Sequence, residues 1–117
     1  MYSQPKLSDA DAIHHERMVL GCMMLDSSQI KKSLTMKSAF FRLPKHRFIF
    51  EAILSVYRSL AKVNVLSVST ALEEKHQTLI VGGLPYLIEL TAYAQKAAKA
   101  HHDAAIRSGV KQAGGKA

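Results

Sequence analysis

The side chains with the most evident chemical capacity are two histidine doublets and one cysteine. The stretch "IHHERMVLGCMMLD", residues 13–26, sets His14, His15 and Glu16 directly ahead of an apolar run that contains Cys22. A zinc protease helix uses H-E-x-x-H because that spacing puts two imidazoles one turn apart on one face. Here the histidines are adjacent, about 100° apart around a helix axis, and cannot both face one ion together with Glu16. His15 and Cys22 share a face, but Val19 lies between them and further ligands would have to come from elsewhere. His14 and His15 therefore read as an exposed helix start, and His101, His102 and Asp103 as a solvated helix face. Cys22 falls late in an apolar helix, away from any feature that would stabilise a thiolate, and reads as a small buried hydrophobe. Carboxylates are few and sit beside bases at the ends of predicted helices, so no acid–base pair stands out. Gly82 and Gly83 are not followed by Gly-Lys-Ser/Thr and form no phosphate loop. The expectation is a chain without catalytic, metal or cofactor sites.

The elements that carry these residues are helical in pattern. A length of 117 residues with 48% hydrophobic content suits one domain with a modest core. The single cysteine excludes an internal disulfide and points to a reducing cytoplasm, and the longest apolar stretch, Met18 to Leu25, is too short to span a bilayer. A first helix is expected from about Asp11 to Met24, with Ile13, Leu20 and Met24 as its stripe and Glu16 and Met23 flanking it. Gly21 inside it suggests that another helix crosses closely there. Asp26 and Gln29 form a plausible capping pair for a short helix through Ile30 and Leu34. Ile49, Ala52, Ile53, Val56, Tyr57 and Leu60 recur at helical spacing and predict an amphipathic helix over about Pro44 to Leu60. Phe40, Phe41, Phe48 and Phe50 cluster at its start and are expected to fill the space between it and the first helix. Asn64 can cap a helix through Val65, Val68 and Leu72. A short apolar run, a glycine turn and a helix from about Leu84 to Ala92 follow, then a last helix from about Ala94 to Val110. The last helix has only Ile106 and Val110 as large apolar residues, so it needs a partner or frays. The domain is expected over residues 13–110, between a flexible start, 1–12, and a flexible tail, 111–117.

The net charge of +7 is concentrated. Residues 31–62 carry eight basic side chains, Lys31, Lys32, Lys37, Arg42, Lys45, Arg47, Arg58 and Lys62, against Glu51 alone. Such a segment attracts a phosphate backbone or an acidic protein surface, or simply keeps a face solvated. The only aromatics interleaved with it, Phe40 to Phe50, read as core rather than as a stacking platform for bases.

Five features occur in a fixed order: Glu16 followed by "VLGCMMLD", then Phe40, "HRFIFEAI", "NVLSVSTALEE" and "VGGLPYLIEL". Together they resemble the N-terminal domain of DnaB-type replicative DNA helicases, over about Ile13 to Ile106. The resemblance implies an all-α fold, a compact orthogonal bundle of about six short helices. It also implies a non-catalytic head that pairs with neighbouring copies in a hexameric ring and helps govern primase and loader contact. Under it, the opening helix packs its Val19, Leu20 and Met23 side into the core. The sequence departs from the family pattern at Asn64, commonly Asp, at Ala39, commonly an acid, and in its more basic middle segment. It also ends where the family continues into a helical hairpin and linker, and has no Walker-type motif for ATP hydrolysis.

Three functions follow as expectations. The first is a DNA-replication scaffold domain that contacts helicase subunits and primase or a loader and forms a weak homo-oligomer, with Ile106 and Val110 as the self-association surface. The second is a free-standing phage- or plasmid-encoded regulator that loads or blocks a host helicase. The third is a nucleic-acid-binding module that uses the eight basic residues of the middle segment on DNA.

Overall fold

A computed structural model describes residues 9–107, with side chains through residue 99. Among the described residues the fold is all-α, with six helices and no strand. In chain order these are α1 (Asp9–Leu25), α2 (Ser28–Lys32), α3 (Pro44–Arg58), α4 (Val65–Glu74), α5 (Thr78–Val81) and α6 (Gly83–Arg107), with one 3-10 turn at Ser38–Phe40. Among the described residues no helix is long and apolar enough to cross a membrane.

α3 is the axis of the bundle. His46, Ile49, Phe50, Ala52, Ile53, Leu54 and Val56 are all buried, so its apolar surface is wider than a single stripe, and it meets α1, α4, α5 and the 3-10 turn. Pro44 opens it from an extended Leu43, where the missing N–H has no intrahelical use. Leu20, Met23 and Met24 of α1, Val68 and Leu72 of α4, and Leu87 and Leu90 of α6 close around it. Each such side chain contributes about 1.5–3 kcal/mol when fully removed from water.

Several local expectations are met, and others are corrected. Asn64 caps α4: its Oδ1 accepts from the Ser67 N–H at 2.9 Å, and Ser67 Oγ accepts from the Asn64 N–H at 2.9 Å. The two helices expected over 84–92 and 94–110 are joined into α6, because nothing between Thr91 and Lys96 breaks a helix and Ala94 is buried against α1. α1 starts at Asp9, within the stretch read as a flexible start; Asp9 and Asp11 favour the positive end of its dipole, and Asp9 pairs with Arg42. The N-cap of α2 is Ser27 rather than Asp26, and no side chain caps it; Asp26 precedes it in a local turn in which the Ser28 N–H and Oγ donate to its Oδ1 at 3.0 and 2.8 Å. Those bonds, the hydroxyl first, hold the Asp26 carboxyl below its ordinary pKa. Phe40 is 63% exposed, not core: adjacent residues of a tight turn diverge, and Phe41 takes the interior place beside Phe50, ring centroids 5.0 Å apart. Leu60 also leaves the core, because α3 ends at Arg58 and the chain turns before the stripe can continue.

Gly21 is where α1 and α6 touch most closely. A Cβ there would stand 2.8 Å from the Ala94 Cβ and closer still to the Leu90 carbonyl oxygen, which belongs to a helical backbone and cannot step aside. Gly21→Ala is expected to lower stability by about 1–3 kcal/mol in urea unfolding, despite alanine's helix preference of about 1 kcal/mol. A midpoint at or above that of the unsubstituted chain would disprove the contact.

Candidate functional site

Three polar residues from three helices meet inside the bundle. Glu16 of α1 is 6% exposed, His46 of α3 is fully buried, and Tyr86 of α6 is 9% exposed. His46 Nδ1 lies 2.7 Å from Glu16 Oε1, and His46 Nε2 lies 2.6 Å from the Tyr86 hydroxyl. The other Glu16 oxygen accepts from the Arg42 backbone N–H at 2.6 Å. The partners fix the roles: two N–H groups donate to the carboxylate, so Nδ1 carries a proton, and the Tyr86 hydroxyl donates to a bare Nε2. Both Glu16 oxygens, both His46 nitrogens and the Tyr86 hydroxyl each have a hydrogen-bond partner, while Glu16 also lines a hollow of about 280 Å³ with His15, Val19, Met36, Phe40 and Phe41, and the nearby Arg17 Nε is buried without a partner.

Cations ring this network. The Lys45 ammonium lies 4.0 Å from the centroid of the Tyr86 ring, and the Arg17 guanidinium carbon lies 5.7 Å from that of Tyr93. Tyr93 in turn hydrogen-bonds His14. Burial pushes the His46 pKa down, as do the Lys45 and Arg17 charges, against the upward pull of the Glu16 hydrogen bond and charge. Burial likewise raises the Tyr86 pKa, against the nearby Arg17 charge.

Each member of the network is the polar residue in an otherwise apolar row. Glu16 precedes Leu20 and Met23 on one face of α1, His46 precedes Ile49, Phe50 and Ile53 on α3, and Tyr86 precedes Leu90 on α6. Reading the carboxylates only against neighbouring bases missed this pairing across 30 and 40 residues. The available signal was a polar side chain continuing an apolar row at helical period. His14 and His15 are exposed at the start of α1, and Cys22 is half-buried rather than buried. Among the described residues no three His, Cys, Asp or Glu side chains gather around a point.

The eight basic residues of the middle segment have different surroundings. Arg42 pairs with Asp9, Lys45 covers Tyr86, and Arg47 Nε donates to the Phe41 carbonyl at 2.7 Å and its terminal nitrogen to that of Arg42 at 3.4 Å. Lys31, Lys32 and Lys37 are exposed. Arg58 and Lys62 line one hollow of about 610 Å³ with Leu25, Ser27, Leu34, Tyr57, Leu60, Ala61 and Val63. Ile106 lies on the α6 backbone beyond the described side chains, and Val110 lies outside the described residues.

The network can be tested by stability. Glu16→Met leaves two buried N–H groups without an acceptor and is expected to cost about 3 kcal/mol, and Tyr86→Phe, which orphans Nε2, about 1–2 kcal/mol. Glu16→Gln should fall between Glu16→Met and the unsubstituted chain, because the imidazole can exchange its proton between nitrogens and accept from the amide. Equal urea midpoints for all four proteins would refute the arrangement.

A pH dependence follows from His46. Its folded pKa lies below the ordinary value of 6.5, so between those two values the unfolded chain binds more protons. The His46 contribution is complete above pH 6.5 and is lost as pH falls through the interval below it. The measurement is urea unfolding at stepped pH, with the decline expected to shrink in His46→Gln; a slope unchanged by that substitution would assign it elsewhere.

Comparison with known proteins agrees with the all-α fold. The family model "DnaB-like helicase N terminal domain" matches residues 8–106. Among curated proteins, the replicative DNA helicase DnaB of Mycobacterium leprae is 32% identical over 92 residues, covering 78% of this chain and 15% of that helicase. The corresponding DnaB of Leifsonia xyli subsp. xyli is 30% identical over 92 residues, covering 78% of this chain and 20% of the helicase. A probable replicative DNA helicase of Trieres chinensis is 31% identical over 78 residues, covering 64% of this chain and 17% of that protein. The chain therefore spans a fifth or less of the length of these relatives. Among solved structures, the N-terminal domain of DnaB helicase from Mycobacterium tuberculosis superposes with a TM-score of 0.69 at 27% identity, covering 77% of this chain and 60% of that one.

Proposed function

The chain belongs to the DnaB-like helicase N-terminal domain family, and from that premise we propose that it is a non-catalytic scaffold of DNA replication. It works in the cytoplasm through protein contacts with helicase subunits and with a primase or helicase loader. The observation that supports this reading is the use of the buried titratable groups. Glu16, His46 and Tyr86 saturate one another at 2.6–2.7 Å, so the interior holds helices together and the outer surface is what remains to recognise other molecules. Homo-oligomerisation through Ile106 and Val110 and the alanine-rich stretch before them belongs to the same reading. A helix with so few large apolar residues gains most by covering them with a second copy.

Sedimentation velocity over a concentration series tests the scaffold. A mass above the monomer is expected at high concentration, reduced in the double variant Ile106→Lys and Val110→Lys. Titration of the chain with a DnaB-type helicase and its primase should give a complex with at least one of them. A strict monomer that binds neither would end the proposal.

A further inference from the structure

α3 closes with the hydrogen bonds that usually accompany a glycine. The Ala61 N–H donates to the Val56 carbonyl at 3.3 Å and the Leu60 N–H to that of Tyr57 at 3.1 Å, which puts Leu60 in the left-handed position of a Schellman turn. Its φ is 65°, a conformation that costs an L-residue about 1–2 kcal/mol and glycine almost nothing. Leucine gains nothing in return within the chain, since it is 94% exposed. A strained backbone carrying an unburied leucine contributes to no interior feature of this fold.

Leu60 is also not isolated. It lines the hollow of about 610 Å³ together with Leu25 and Leu34, 45% and 41% exposed, and the half-buried Tyr57. Arg58 and Lys62 flank Leu60 in sequence and line the same hollow; neither side chain makes an ion pair or hydrogen bond among the described residues. No carboxylate lines it. The nearest in sequence, Asp26, has its Oδ1 engaged by Ser28.

We propose that this hollow is the docking site for an acidic amphipathic helix of a partner protein, with Leu60 as the central anchor and Arg58 and Lys62 as the charge-selecting rim. The inference rests on the reading of the chain as a scaffold that acts through protein contacts. The exposed leucines that line the hollow match apolar residues spaced i, i+3, i+4 and i+7 along the partner, and carboxylates beside that row meet the two free cations. A nucleic acid strand suits the hollow less well, because three leucines and one half-buried tyrosine offer little on which bases can stack. A second copy suits it less well too, since the scaffold reading already assigns self-association to the face at Ile106 and Val110 rather than to this basic rim.

The test uses the full chain and a display library of short amphipathic helices with a fixed leucine row, the flanking positions randomised among Glu, Gln and Lys. Selection on the unsubstituted chain should enrich glutamate flanks. The enriched peptide, resynthesised with a fluorophore, should bind Leu60→Asn about thirtyfold more weakly, the loss expected for a central anchor. Arg58→Glu combined with Lys62→Glu should weaken it comparably and favour lysine flanks instead. Leu60→Asn and Leu60→Gly both accept a left-handed backbone, so their urea midpoints should equal or exceed that of the unsubstituted chain. The anchor therefore weakens binding without weakening the fold. Enrichment of lysine flanks, no enrichment, or binding indifferent to Leu60 would overturn the docking site. So would displacement of the peptide by an oligothymidine strand bound in a Leu60-dependent way, or loss of self-association in Leu60→Asn, which would assign the hollow to nucleic acid or to a second copy. Self-association of the unsubstituted chain with no peptide enriched on it would sink the hollow alone and leave the scaffold reading standing.

Discussion

The fold depends on one buried chain of hydrogen bonds. Glu16, His46 and Tyr86 come from α1, α3 and α6, and each can be dry only because the other two are in place. Apolar contacts between these helices are interchangeable within about a methylene or two, so they favour collapse without fixing one register. A carboxylate that must find both an imidazole N–H and the Arg42 backbone N–H is not interchangeable. Sliding α1 by one residue along the bundle would strand a buried carboxylate and two donors, at a cost of several kcal/mol. The network thereby selects one packing among many that burial alone would allow.

The same constraint reaches the surface through Arg42. Its backbone N–H is held by Glu16, its guanidinium by Asp9, and its carbonyl accepts from Arg47, so the segment between the 3-10 turn and α3 is tied at three points. Lys45, one residue before His46, lies against the Tyr86 ring. Basic residues that sequence composition groups together are thus split by the fold. Those nearest the network brace it, and those at the far end of α3, Arg58 and Lys62, stay free.

Much of the architecture was legible because it rests on period and capping. The rows of α1, α3 and α4 follow the helical repeat, Asn64 lies three residues before a serine that completes a capping box, and Gly21 marks a close crossing. The failures share a cause, which is that they depend on where a helix stops. Leu60 belongs to the α3 row by spacing, yet the helix ends two residues earlier and the left-handed turn faces it outward. The break expected before Ala94 does not occur, because α1 lies against α6 there and propagates it. The buried network was hidden for a different reason. Its members lie 30 and 40 residues apart, and a local reading treats each as the polar edge of its own helix.

Among the described residues three helix ends use a left-handed residue, and comparing them separates geometry from purpose. α5 ends on Gly82, φ 101°, where a glycine bears the conformation at little cost. α4 ends on His76, φ 57°, with Gln77 donating to the Leu72 carbonyl at 2.9 Å; the exposed imidazole stays solvated, so water compensates for nothing lost. α3 ends on Leu60, where the same hydrogen-bond pattern forces an apolar side chain into water. Strain explains none of the difference, because all three turns have it or avoid it by residue type alone. What distinguishes Leu60 is its neighbourhood: two further exposed leucines and two unpaired cations converge on it, whereas the His76 turn opens between Lys75 and Gln77. An exposed leucine is ordinary on a protein surface, but one held at conformational cost beside a hollow that two further exposed leucines line is a feature that an occupant of that hollow would make favourable.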